Sequence, residues 1–158
     1  MKTSHRKAAR AKRYAADAGS MYRVMNRLQP FTGGEIAQLA IPMWQAWADM
    51  KNGSATDGDF HTLAAVVNVA LVRAETVAGD VDELCVAMVK RAQDALMVLD
   101  ERHKRLGRWG VCYQSLEHIP PALEFYQQVL ELSTPLQMQE AMREVIRRGD
   151  AGEVIEPL

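Results

Sequence analysis

Four segments of this chain open with a side-chain oxygen three positions ahead of an acid or amide: Thr32 with Glu35, Thr56 with Asp59, Asp80 with Glu83, and Thr134 with Gln137. At that spacing two side chains can satisfy each other's backbone N–H groups at a helix start, and each pair here heads an apolar pattern of helical period. After Thr32 come Ile36, Leu39, Ala40, Met43, Trp47 and Met50, the stripe of one buried face. Pro42 is expected to bend that helix or its first turn. After Thr56 and the Asp57-Gly58 turn, Phe60, Leu63, Val66, Val67, Ala70, Leu71, Ala74 and Val77 predict a helix in the core. Asp80 opens the longest pattern, from Val81, Leu84 and Cys85 through Met88, Ala92, Ala95, Leu96 and Leu99 to Leu106, and Gly107 ends it. Gly79 leaves only a very short turn between these two helices, which therefore pack antiparallel. Leu63, Val67, Leu71, Leu84, Met88, Leu96 and Leu99 are expected to be buried together in that pair.

Residues 107–114 read as a loop carrying Gly107, Gly110 and an exposed or half-packed Trp109. Pro121 suits a first helical position, with Leu123, Tyr126, Val129 and Leu130 as the stripe behind it and a short turn at Ser115 to Ile119 ahead. Thr134 and Pro135 start a last helix through Leu136, Met142, Val145 and Ile146, stopped by Gly149. Lys2 to Leu28 reads as helical with a break near Gly19-Ser20, and Met21, Val24, Met25 and Leu28 form its apolar face. No run joins β-branched alternation to hairpin turns. The prediction is an all-α protein: a single compact bundle of about five to six helices with an antiparallel central pair. Its parts are a basic N-terminal arm (1–19), a helical bundle (20–149) and a flexible C-terminal tail (150–158).

A length of 158 residues with 48% hydrophobic and 25% charged residues suits one ordinary globular domain. The apolar run Leu63 to Val72 is broken by Asn68 and closed by Arg73, far short of the ~20 residues of a membrane span. The basic start leads into no apolar segment, so it is not a secretory signal. Two cysteines, Cys85 and Cys112, make no disulfide framework, and reduced thiols in a cytoplasm are expected. The net charge of −1 conceals an asymmetry. Residues 1–34 carry Lys2, Arg6, Lys7, Arg10, Lys12, Arg13, Arg23 and Arg27 against Asp17 alone, while the remainder holds 11 bases and 19 acids. The chain is a basic arm on an acidic body.

Few constellations point to catalysis. His5, His61, His103 and His118 are scattered, with no i, i+4 pair and no Cys-x-x-Cys, so neither metal nor cofactor is expected. Asp57, Asp59 and His61 come closest to a ligand cluster but lack the remaining oxygens of a calcium loop. Gly33-Gly34 has no following Lys and Ser/Thr, and no strand precedes Gly107 to Gly110. Cys85 lies on an apolar stripe, Cys112 in a loop near Arg108, and neither has a base and oxyanion hole in local pattern. The chain is read as no enzyme.

Basic clusters are the stronger signal. Arg6, Lys7, Arg10, Lys12 and Arg13 form an arm suited to phosphates or an acidic partner, against which stands the plain alternative of a solvated terminus. Arg102, His103, Lys104, Arg105 and Arg108 with Trp109 form a second cluster at a helix end, where the helix dipole alone favours cations. Arg143, Arg147 and Arg148 repeat that placement. Asn68, alone in the most apolar helix, must find a buried partner. Trp44, Trp47 and Trp109, with nine Met in the chain, are candidates for a protein interface, and Trp44 and Trp47 for a homodimer seam.

The Lys/Arg-rich leader, a first amphipathic segment and the apolar run Leu63-Ala64-Ala65-Val66-Val67-Asn68-Val69-Ala70-Leu71 together resemble small helical accessory proteins of phages and prophages. That group includes anti-CRISPR inhibitors. The resemblance implies a non-enzymatic interaction protein that binds a host protein or nucleoprotein complex, and it carries over no functional residue. An acidic body is suited to a groove meant for nucleic acid. The alternative is a nucleic-acid-binding module, independent of sequence, that uses the basic arm.

Overall fold

The computed structural model describes residues 27–77 and 83–153. The basic arm with Arg6, Lys7, Arg10, Lys12 and Arg13, the Met21-Val24-Met25 face, the Gly79 turn, the Asp80 cap and the tail from 154 onward lie outside the described residues. Within them are five helices and no strand: α1 (Gly33–Asn52), α2 (Asp57–Val77), α3 (Glu83–Leu106), α4 (Tyr113–Leu132) and α5 (Pro135–Asp150). None is long and apolar enough to cross a membrane.

Three of the capping pairs close as their spacing predicts. Glu35 accepts from the Thr32 N–H at 2.8 Å while Thr32 Oγ1 accepts from the Glu35 N–H. Thr56 with Asp59 and Thr134 with Gln137 repeat the exchange. Each pair satisfies N–H groups that a helix start otherwise leaves orphaned. The C-terminal stops are equally local. Gly53 takes φ 74, a left-handed conformation open to glycine, and Ser54 N–H then reaches the Asp49 carbonyl at 3.0 Å. Gly149 does not end α5. Gly152 does, at φ 70, with Glu153 N–H on the Arg148 carbonyl at 2.8 Å.

α2 packs against all four other helices. From Leu63 to Ala74 it is buried on almost every side, including Val66, Val67, Val69, Ala70, Leu71 and Val72, as expected of a helix that is apolar all round. Its one buried amide, Asn68, accepts from Gln93 Nε2 of α3 at 2.8 Å. Nearer the start of α2, Asp57 lies 3.7 Å from His103. Eleven residues up α2 thus correspond to ten down α3, which makes the central pair antiparallel.

Leu63, Val67, Leu71, Leu96 and Leu99 are buried as predicted, but Leu84 is 84% exposed and Met88 only half-buried. The fully buried face of α3 begins a turn later, at Val89, Ala92, Ala95 and Leu96, while Val86 and Met88 pack against the core only in part and Leu84 points away from it. α4 also departs from expectation. It starts at Tyr113, where Ser115 Oγ accepts from the Cys112 N–H at 2.8 Å, and it runs on through Pro120 and Pro121. The two rings deprive the Leu116 and Glu117 carbonyls of helical partners, but both residues are exposed and water can serve instead. Ile119, Ala122 and Leu123, all fully buried, hold the segment in place. On α5 the core face is Met138, Ala141 and Val145, while Met142 and Ile146 are exposed, because this helix leans chiefly on α2.

Candidate functional site

The helix ends that carry the second basic cluster meet the end of α1 at one edge of the bundle. α1 finishes with Lys51 and Asn52, α3 finishes with Arg102 to Leu106, and Gly107 turns the chain at φ 69 with its N–H on the His103 carbonyl. The loop that follows brings Arg108, Trp109, Gly110 and Val111 back against them. A cleft of about 410 Å³ results, lined by Lys51, Arg102 and Arg108 with Trp109 as part of its wall. No carboxylate lines it.

Trp109 holds that geometry. It is 5% exposed, not the exposed or half-packed residue its loop position suggested. Its indole stacks on Phe60 of α2, with ring centroids 4.5 Å apart, and on His103 of α3 at 3.9 Å. The Nε1–H donates to Asp57 Oδ1 at 2.8 Å, which meets the need of a buried indole for an acceptor. Asp57, read from the sequence as part of a near-miss ligand cluster, therefore anchors the indole, while His61 of that cluster lies edge-on to Phe60. Among the described residues no group of three His, Cys, Asp or Glu side chains is placed to hold a metal ion.

The predicted cations separate into two kinds. Arg102 and Arg108 line the cleft, and the Arg102 Nε is buried without a hydrogen-bond partner. Lys104 instead pairs with Asp100 at 2.7 Å one turn back, and Arg105 is exposed outside the cleft lining. Arg147 and Arg148 serve the fold, both bonded to Glu144, and Arg148 also pairs with Glu75 of α2 at 2.6 Å. Lys51 was missed by the sequence reading. Its only signal was a basic residue just ahead of the Asn52-Gly53 stop.

The tryptophans proposed for an interface are occupied within the chain. Trp47 is 4% exposed in the core, and Trp44 is half-buried with its Nε1–H on Gln127 of α4 at 3.0 Å. Trp47 and Trp109 are thus enclosed by the fold, whereas Trp44 keeps part of its surface open. Cys85 and Cys112 are both of intermediate burial. No protein family, curated protein or solved structure matches this chain.

Proposed function

We propose that this chain is a non-enzymatic interaction protein that docks on a nucleic-acid-containing partner by holding backbone phosphate in the cleft between α1, α3 and the 107–112 loop. The observation that carries this reading is the convergence of Lys51, Arg102 and Arg108 on a single cleft free of carboxylates. Cations from separate elements gain little from standing together unless an anion lies between them, and only Lys51 lies in a helix last turn, where the dipole offsets part of the repulsion. The Trp109 stack fixes the loop that carries Arg108, so the third cation is positioned rather than free. Such contacts position a partner without reading its sequence.

The test is fluorescence anisotropy with labelled duplex and single-stranded oligonucleotides at two salt concentrations, on the full chain and on Lys51→Ala/Arg108→Ala. Both residues are exposed, so the fold is retained. Each phosphate contact contributes about 0.9 to the slope of log affinity against log salt on duplex DNA, so the double variant is expected to lose up to about 1.8. Equal affinity and slope for the two proteins sinks the reading.

A second reading rests on α4, where Glu117, Glu124 and Glu131 are exposed at intervals of seven residues, about 10 Å apart along the axis. Such a row suits the anti-CRISPR-like reading, in which an acidic face occupies a host groove built for nucleic acid. That reading requires competition with nucleic acid for the host complex, lost in the triple Glu→Gln variant.

A further inference from the structure

A second polar group short of partners among the described residues is the guanidinium of Arg73. It rises from α2 between α4 and α5, where its Nη2 donates to the Oγ of Ser133, a residue 1% exposed, at 3.1 Å. Its Nε is buried and has no hydrogen-bond partner. No ion pair within 4 Å forms on it among the described residues, in contrast to Arg147 and Arg148 on the neighbouring helix. Burial pushes the guanidinium below its ordinary value, and the charge of Glu140, beyond ion-pair range, only partly opposes this. A partly desolvated cation without an ion-pair partner is costly, and a hydrogen-bonded anion is what relieves it.

Beside this group lies a pocket of about 270 Å³. Its walls away from Arg73 are mostly apolar: Ala74 from α2 and Phe125, Val129 and Leu132 from α4. Leu132 stands at the rim, 82% exposed. The volume falls just under the ~300–1,000 Å³ usual for small-molecule sites, which sets the size of an occupant as well as its polarity. Glu140 and Glu144 line the adjoining depression on the other side of Arg73 and disfavour a doubly charged ligand. One guanidinium without an ion pair, an apolar wall and acids nearby describe a receptor for a single negative charge that carries a short hydrocarbon.

We propose that the pocket between α2, α4 and α5 binds a small organic monocarboxylate, its carboxylate on the Arg73 guanidinium and its apolar tail against Phe125, Val129 and Leu132. This site is separate from the phosphate cleft and does not depend on it.

The probes are 3-phenylpropionate and hexanoate, with 3-phenylpropan-1-ol, hexan-1-ol and inorganic phosphate as controls, titrated by calorimetry and by saturation-transfer NMR on the full chain at pH 7. The acids are expected to bind at one site and the alcohols at least tenfold more weakly. Phosphate is expected not to compete. Arg73→Gln is expected to weaken the acids at least tenfold, and Leu132→Ser about threefold, while Lys51→Ala/Arg108→Ala leaves them unchanged. Should Arg73→Gln fail to fold, Arg73→Lys keeps the charge and loses the planar fork, and it is expected to weaken binding several-fold. No saturable binding of either acid, alcohols as tight as acids, effective competition by phosphate, or a loss that follows the Lys51/Arg108 variant instead would each overturn the proposal.

Discussion

The indole of Trp109 lies flat on the imidazole of His103, with centroids 3.9 Å apart and planes within 1° of parallel. Because Phe60 stacks on the same indole and Asp57 accepts its N–H, a loop residue ties the start of α2 to the end of α3. Truncation at this point removes packing against two rings and one hydrogen bond together. Trp109→Ala is expected to destabilise the fold by about 3–5 kcal/mol in urea unfolding, the range for loss of a large buried aromatic. His103→Ala should cost less, since that side chain is partly open to solvent. A Trp109→Ala variant as stable as the parent would mean that the stack does not anchor the loop.

Leu84 and Leu99 sit fifteen residues apart on one helix with opposite surroundings. Leu99 is 1% exposed and its truncation to Ala is expected to cost about 2–5 kcal/mol. Leu84 is 84% exposed, and Leu84→Ala should fall within about 0.5 kcal/mol of the parent. Thermal melts of the two variants check the assignment, and equal losses would contradict the α3 face described above.

Glu144 gives the fold a pH-dependent contribution. It accepts from Arg147 at 2.8 Å and from Arg148 at 2.9 Å, and these bonds hold its carboxyl below the usual 4.5, at about 2. A folded-state value below the unfolded one gives stability that is present above about 4.5 and lost as pH falls toward 2. The group is open to solvent, so the effect is modest and screened by salt. Glu144→Gln is expected to melt below the parent at pH 7, and the gap to close between pH 4.5 and 2. A gap that stays constant across that range would remove Glu144 as its source.

The places where sequence and structure agree are those where the cause is local. Thr32, Thr56 and Thr134 each need one side chain three residues on, and Gly53 needs only its own freedom at positive φ. Leu63, Val67, Leu96 and Leu99 were legible because a core face repeats along its own helix. Leu84 misled because it continues the stripe of α3 into a first turn where only Val86 reaches the core, and that in part. Pro120 and Pro121 misled because helix propensity penalises them, whereas fully buried Ile119 and Leu123 keep α4 in line across them. The phosphate cleft was half visible, through Arg102 and Arg108. Lys51 reaches it only because α1 ends beside α3, and no periodicity encodes that meeting. Arg73 stood in the sequence merely as the charge that closes an apolar run, and its lack of an ion-pair partner is a property of the three helices around it.

The enclosure of α2 and the one-sided support of α5 divide the molecule into parts that need not open together. Amides of α2 can meet deuterium only when the bundle itself comes apart, whereas α5 can lift away at the cost of Ala141, Val145 and the Arg148–Glu75 pair. Its lifting would also open one wall of the Arg73 pocket. A ligand seated there would slow exchange along α5 and leave α2 as it was, so that occupancy of a small polar niche would be recorded in the protection of a helix sixteen residues long.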